Sequence, residues 1–184
     1  MAEFTETLTD KHIAFIERQP VYFTATAAPE GRINLSPKGL DSFRVLSDHR
    51  VGYMDLISSG NETSAHTLEN GRITFMFCSF EGPPNILRLY GKGWTVLPGT
   101  PEWEMYAPKF TIYPSTRQII LADINLVQTS CGFGVPLFQY AGERDIHFEW
   151  AQKKGSDGLT AYMQEKNRVS IDGLPTKLLE NAGG

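Results

Sequence analysis

Two side chains that can bind an anion occur close together in the first third of the chain. Lys38 lies in a Ser-Pro-Lys-Gly turn, and Arg44 follows a few residues later in a Phe-Arg-Val-Leu run. An arginine can hold two phosphate oxygens at once, whereas a lysine supplies a compact point charge. The types and spacing of these residues indicate a site for a phosphate-bearing ligand.

A polar loop followed by a short helix supplies a second part of such a site. A helix is predicted over 62–70, with Asn61 as its N-cap. The first backbone N–H groups of a helix are free and lie at its positive end, so a helix start attracts phosphate. Thr63 adds a hydroxyl donor, whereas Glu62 must face away from an anion or accept a hydrogen bond. The alternative is purely structural, with Asn61 capping the helix and the basic residues solvated in turns.

The elements that must position these residues are mostly short strands. Runs rich in β-branched and aromatic residues, bounded by turns, predict strands over 21–26, 32–36, 42–46, 51–56, 73–80, 85–96 and 117–130. Helices are predicted over 7–18, 62–70, 101–107, 145–154 and 158–166. Gly91 and Gly93 are the expected bend points of their strand. The pattern predicts a mainly β (α+β) fold, an antiparallel sheet or barrel with short flanking helices.

The length and charge of the chain restrict its function class. Its 184 residues are enough for one domain, so we expect a single domain over 1–184, with a barrel over 20–130 and a helical segment over 145–168. A net charge of −4 argues against a general nucleic-acid binder. We find neither a signal peptide nor a membrane-length apolar run and therefore expect a cytoplasmic protein without membrane contact. The four histidines lack metal-site spacing, so no metal is expected.

Six short motifs follow one another in an order that is similar to one protein family. They are Ser-Pro-Lys-Gly at 36–39, Phe-Arg-Val-Leu at 43–46, Gly-Asn-Glu-Thr at 60–63, Glu-Asn-Gly-Arg at 69–72, Leu-Arg-Leu-Tyr-Gly-Lys-Gly at 87–93 and Ser-Cys-Gly-Phe-Gly-Val-Pro at 130–136. Their order and spacing resemble the pyridoxamine 5'-phosphate oxidase-related proteins. The resemblance extends over residues 11–136. It implies an antiparallel split β-barrel, FMN as cofactor and a homodimer that holds FMN between its subunits.

The resemblance also implies which residues contact the cofactor. They are Ser36, Lys38, Arg44, Met54, Asp55, Asn61, Glu62, Thr63 and Arg88. Among them, Arg44 matches the basic contact to the FMN phosphate, and Met54 and Asp55 match the strand end that runs along the flavin. The loop and helix start at 61–63 match the segment that holds the phosphate. Arg88 lies on a strand that often supplies a contact from the partner subunit.

Two differences from the true oxidases limit what the resemblance implies. The oxidases carry an Arg-Lys pair where this chain has Glu62 and Thr63. Two positive charges are therefore missing, and Lys38 has to compensate for them if FMN is to bind tightly. The C-terminal substrate pattern of the oxidases is not recognised in this chain. We therefore do not expect oxidation of pyridoxamine phosphate.

Three functions remain open at the level of sequence. The leading hypothesis is an FMN-dependent oxidoreductase acting on a small molecule, in which the flavin carries the electron chemistry and no catalytic side chain is assigned. The second is a non-catalytic protein that binds FMN, haem or another flavin-like cofactor. The third is a structural barrel without a ligand.

Overall fold

The computed structural model describes residues 2–180. Its strands are β1 (Glu3–Thr5), β2 (Tyr22–Thr26), β3 (Asn34–Lys38), β4 (Phe43–Val45), β5 (Arg50–Leu56), β6 (Arg72–Cys78), β7 (Ile86–Val96) and β8 (Thr116–Ser130). Its helices are α1 (Asp10–Ile16), α2 (Glu62–Glu69), α3 (Pro101–Tyr106) and α4 (Ile146–Lys166), with a 3₁₀ turn (Ala107–Lys109) after α3. Each strand and helix predicted from the sequence is present, although several boundaries move by two or three residues. The short β1 was not predicted.

The strands form one antiparallel sheet that curls into a split barrel. Their order is β3-β2-β6-β7-β8-β5-β4, and β1 pairs additionally with β8. The two ends of this path, β3 and β4, are not paired with each other. The barrel is therefore open along one seam, which confirms the predicted fold class.

Side chains rather than backbone hydrogen bonds connect the two sides of the seam. The hydroxyl groups of Tyr22 and Ser42 are hydrogen-bonded at 2.9 Å. The rings of Tyr22 and Phe43 meet edge to face with their centroids 4.9 Å apart. On the same seam, Nζ of Lys38 lies 3.2 Å from Oδ1 of Asp55. The position of Lys38 is thus fixed by the way the barrel closes.

Apolar side chains fill the inside of the barrel. The largest that are almost fully buried are Tyr53, Phe75, Phe77, Leu87, Leu89 and Ile120. Burying each such side chain contributes about 1.5–3 kcal/mol. A second cluster packs α3 and the 3₁₀ turn against the opposite face of β5 and β8, and includes Met54, Tyr106 and Phe110. The sheet is therefore covered on both faces in this region.

Helix α2 buries one of the two residues that its sequence places on an inward face, Ala65 and Leu68. Ala65 is completely buried, as expected, whereas Leu68 is 40% exposed and His66 is almost completely buried instead. Nδ1 of His66 lies 3.1 Å from the hydroxyl of Thr26 at the end of β2. His66 is therefore a buried polar residue, not the surface or capping residue that a histidine in the first turns of a helix would suggest. The His66 side chain points to the end of β2, where Thr26 offers a polar partner. The spacing of apolar residues along α2 does not reveal this partner.

Helix α4 consists of two pieces, as predicted. Gly155 separates them with a φ of 66°, in the left-handed region that favours glycine. Ala151 and Leu159, one from each piece, pack against Ile57. Neither α4 nor another helix within residues 2–180 is sufficiently long and apolar to span a membrane. The same residues contain no group of three or more His, Cys, Asp and Glu side chains placed to hold a metal ion.

The bend in β7 yields a test of the fold. The pairing of β7 with β8 shifts register between Tyr90 and Gly91, as expected for one of the two predicted bend points. A Cβ atom at Gly91 would lie only 2.1 Å from the backbone oxygen of Asp123. We expect Gly91→Ala to lower the free energy of unfolding by about 2–3 kcal/mol, because the strands would have to separate.

Urea denaturation measures this change, and Gly134→Ala is the matched control because a Cβ there has no neighbour within 4 Å. Equal stability of the two variants would contradict the close approach of β7 and β8.

Candidate functional site

A groove of about 520 Å³ brings together most of the predicted contact residues. It lies where β3, the end of β5 and the start of α2 meet. We call it the α2 groove. Six of the nine residues predicted as cofactor contacts line it: Ser36, Lys38, Asp55, Asn61, Glu62 and Thr63. Loop residues 58–60 and the C-terminal residues 165–166 and 169–171 complete its walls.

The floor of the α2 groove is a buried ion pair between Asp55 and Arg117. Both side chains are 2% exposed, and Nη2 of Arg117 lies 2.6 Å from Oδ2 of Asp55. Nε of Arg117 and Nε2 of Gln118 donate to the same oxygen at 3.0 and 2.8 Å. Oδ1 accepts a hydrogen bond from Lys38 at 3.2 Å. The carboxylate therefore joins β3, β5 and β8 at one point.

These neighbours change the acidity of Asp55. Burial raises the pKa of this carboxyl group, but the charges of Arg117 and Lys38 and the hydrogen bonds that it accepts outweigh burial. The pKa of Asp55 consequently lies below its ordinary value. Asp55 remains an anion at neutral pH and balances one of the two cations that it contacts.

Asn61 uses its side chain differently from the predicted N-cap. It stands at the N-cap position of α2, but its amide makes no capping hydrogen bond. Its Oδ1 accepts from Nε2 of Gln118 at 2.7 Å, and its Nδ2 donates to the backbone oxygen of Asn167 at 3.2 Å. The capping prediction is wrong, because the buried partners on β8 and in the C-terminal segment take both ends of the amide.

Arg117 also binds the C-terminal segment. Its Nη1 donates to the backbone oxygen of Gly60 at 2.9 Å and to Oδ1 of Asn167 at 2.8 Å. Neither Arg117 nor Asn167 was among the site residues expected from the sequence. A lone arginine opening the apolar strand β8 was an available signal, since a buried arginine requires a partner. Asn167 offered none, because it lies far from Arg117 in the chain.

Glu62 faces the C-terminal segment. Its two carboxylate oxygens lie 3.1 and 3.2 Å from the backbone nitrogen of Ile171, which donates to them. The neighbouring Thr63 is buried, and its hydroxyl accepts a hydrogen bond from Asn34 at 3.2 Å. Glu62 thus has a protein partner that the sequence did not predict.

Three predicted contacts lie outside the α2 groove. Arg44 was expected beside Lys38, but it lies on β4, at the other end of the sheet, where its guanidinium forms two hydrogen bonds of 2.9 Å to Asp41. Met54 is buried on the opposite face of β5 from Asp55. Arg88 lies on β7 and donates to the hydroxyl of Ser130 at 3.2 Å. Lys38 reaches Asp55 in the α2 groove, whereas hydrogen bonds to Asp41 hold Arg44 outside it.

Arg44 instead borders a second, larger groove of about 1450 Å³. This groove lies at the end of α1 and is bounded by the loops that follow β3 and β6. Phe80 and Phe138 form part of its wall, with ring centroids 5.5 Å apart. Lys38 and Arg44 therefore border two different grooves, and Arg88 lines neither of them.

The ionised side chains of the α2 groove balance one another. Its cations are Lys38, Arg117 and Lys166, and its anions are Asp55, Glu62 and Glu165. Three positive and three negative charges leave no net charge in the part of the groove that one chain builds. Hydrogen-bond donors rather than net charge are what the groove offers to an anion.

Comparison with known proteins identifies the family. The family model for pyridoxamine 5'-phosphate oxidase matches residues 8–131. The chain belongs to this family. It is 37% identical over 195 aligned residues to the pyridoxamine 5'-phosphate oxidase family protein ustO of Aspergillus flavus. The alignment covers 95% of this chain and 78% of that protein.

Solved structures support the fold. A variant of HupZ from Group A Streptococcus matches with a TM-score of 0.52 and 18% sequence identity, covering 66% of this chain and 98% of that chain. At this level of identity the similarity concerns the fold alone. The family and the split-barrel fold implied by the sequence motifs are both confirmed.

The buried ion pair makes stability depend on pH in a defined direction. Because the pKa of Asp55 is lowered on folding, its stabilisation is complete above the unfolded-state pKa of about 3.9 and is lost as the pH falls through the lower folded value. We expect Asp55→Asn to cost about 3–5 kcal/mol at pH 7, since it leaves Arg117 buried without its anion.

As the pH falls below about 4, the free energy of unfolding should also decrease less in this variant than in the wild type. Urea denaturation across this range measures both effects, and Asp157→Asn on the exposed part of α4 is the control. An unchanged acid limb in Asp55→Asn would contradict the lowered pKa.

Proposed function

We propose that the protein binds a flavin, FMN, and functions as an FMN-dependent oxidoreductase acting on a small molecule. Membership in the pyridoxamine 5'-phosphate oxidase family supports this proposal. The observation that carries it is the convergence of Ser36, Lys38, Asn61 and Thr63 on one groove at the start of α2. These residues come from separate elements and meet only in the folded chain.

The donor set of the α2 groove suits the phosphate end of such a ligand. Lys38 is 22% exposed and keeps two N–H groups beyond the one that it donates to Asp55. Ser36 is half-buried on the same strand and faces the same groove. The free N–H groups in the first turn of α2 add donors at the positive end of the helix. The fit is one of hydrogen bonding, because the charges of the groove cancel.

The residues of this chain would bind and orient the cofactor. Lys38 and Ser36 would hold the phosphate from the β3 side, and the start of α2 from the other side. The Asp55–Arg117 pair would keep Lys38 in place without contacting the ligand through Arg117, whose nitrogens already have protein partners. A bound FMN would supply the transfer of electrons or hydride, which no protein side chain can provide.

A homodimer and a single domain remain part of the proposal. The edge strand β3 carries Leu35, which is 64% exposed, next to the α2 groove. An unpaired edge with apolar side chains favours association with another chain. In such a dimer, Arg88 would contribute from the partner, whereas Met54 stays packed under α3 and Arg44 borders the other groove. We also propose a cytoplasmic location.

A second candidate function is cofactor binding without turnover. The α2 groove favours it in one respect, because its side chains supply hydrogen-bond donors for a phosphate and none is assigned to a reaction step. A flavin that binds but is not reduced by any donor would distinguish this candidate from an oxidoreductase.

Absorbance spectroscopy tests flavin binding directly. The purified protein is mixed with FMN, freed of excess ligand and examined for protein-bound flavin. We expect Lys38→Gln to raise the dissociation constant for FMN by about ten- to a hundredfold, because a charge-assisted hydrogen bond is lost. Lys11→Gln, an exposed lysine on α1, is the matched control.

Lys38 is preferable to Asn61 as a probe, because Lys38 is partly exposed and keeps N–H groups for a ligand, whereas buried partners take both ends of the Asn61 amide. A folded protein that stays colourless after FMN is added would reject the flavin assignment. Equal affinity of the two lysine variants would move the phosphate away from the α2 groove.

A further inference from the structure

The C-terminal residues after α4 are held firmly against the α2 groove. We call residues 167–178 the C-terminal strap. Asn167, Ser170, Thr176 and Leu178 are all buried within it. Its backbone accepts hydrogen bonds from Asn61 at the start of α2 and from other side chains of α2 and the strap itself. The strap is therefore a structural part of the site.

The start and the middle of the strap are tied to the barrel by side chains. At its start, Nδ2 of Asn167 donates to the backbone oxygen of Ser58 at 2.9 Å, while its Oδ1 accepts from Arg117. In its middle, Asp172 forms an ion pair with Arg32 and accepts from the Arg32 backbone nitrogen at 2.7 Å. These contacts fix the strap beside β3 and the start of α2.

Glu62 belongs to the same attachment. The backbone nitrogen of Ile171 donates to its carboxylate, so that the charge of Glu62 points towards the strap. This is the position where the true oxidases are expected to carry a basic residue. Here a carboxylate fastens another segment of the chain.

The attachment places two new donors on the wall of the α2 groove. Lys166 lies at the last residue of α4, directly before the strap, and Ser170 lies within it; both line the groove. Nζ of Lys166 is 2.7 Å from Glu165, but these side chains are 49% and 67% exposed. Such an exposed pair contributes little and exchanges readily, so the ammonium group is available to another anion.

We propose that the C-terminal strap forms the second half of the anion site, with Lys166 and Ser170 binding the phosphate of the ligand opposite Lys38. Glu62 is then a positioning residue that holds the strap and does not contact the ligand. This inference rests on the proposed function for the identity of the ligand. Lys166, from a distant part of the chain, then supplies one positive charge in place of the two that are missing at positions 62 and 63.

The charges of the groove predict how substitutions change its affinity for anions. A phosphate entering between Lys38 and Lys166 meets three cations and three carboxylates. Removing one cation leaves a net negative site, and removing one carboxylate leaves a net positive one. Opposite changes at Lys166 and at Glu62 should therefore move the affinity for anions in opposite directions.

Binding of FMN and of inorganic phosphate to the full chain tests the proposal, by flavin fluorescence and by phosphorus NMR titration. We expect Lys166→Gln to weaken the binding of both ligands about tenfold, the loss of one charge-assisted contact. Lys153→Gln removes an exposed lysine from the same helix and should bind like the wild type.

Two substitutions of Glu62 separate its positioning role from its charge. Glu62→Gln removes the charge but keeps an oxygen that can accept from Ile171, so we expect tighter anion binding by a few-fold. Glu62→Ala also removes the charge but releases the strap, so we expect weaker binding than in Glu62→Gln. Hydrogen exchange at Ile171 should rise in Glu62→Ala alone.

Each outcome supports or overturns the inference. Equal binding by Lys166→Gln and Lys153→Gln, or equal tightening by both Glu62 variants, would overturn it. Wild-type protein that binds FMN while Lys166→Gln is unaffected would leave the flavin function standing without the strap. If the wild type and the variants bind phosphate with the expected order of affinities but take up no FMN, the anion site is retained and the flavin is rejected. Binding of neither ligand would overturn both.

Discussion

The ion pair between Asp55 and Arg117 is the constraint on which the site depends. Both groups are removed from water, so each requires the other and the remaining polar atoms around them. Gln118 and Lys38 donate to Asp55, and Gln118 also donates to Asn61, so these contacts fix β5, β8, α2 and β3 relative to one another. A buried charge pair often adds little net stability compared with apolar packing. Its effect here is to specify where these elements meet.

The open seam of the barrel explains why this pair has its effect at the groove. Because β3 and β4 do not hydrogen-bond to each other, the seam depends on side chains that reach across it. Tyr22 and Phe43 close its apolar part, while Lys38 closes the polar part by reaching Asp55. The α2 groove is thus the polar end of an incompletely closed barrel, and its basic residue is also one of the contacts that hold the seam together.

The chain has kept the fold of its family while distributing charge differently. A basic pair expected at the start of α2 is replaced by Glu62 and Thr63, and Glu62 binds the strap through Ile171. A carboxylate on the wall of the groove repels a phosphate. Glu62 accepts from a backbone N–H of the strap, and this contact holds the strap, which follows Lys166, beside the groove. Glu62 at the start of α2 and the strap that forms a wall of the groove therefore depend on each other.

The sequence by itself determined the fold class, the order of the strands and helices along the chain and six of the sixteen residues that line the groove. Those features depend on local patterns of apolar residues, turns and motif order, which the chain carries in short segments. It could not place Arg44 away from Lys38, bury His66, or bring Asn167 to Arg117. Each of these depends on which strand edges stay unpaired and which distant polar groups meet inside the protein. Only the tertiary structure decides this, because a buried charge or amide is satisfied by partners that are near in space and far apart along the chain.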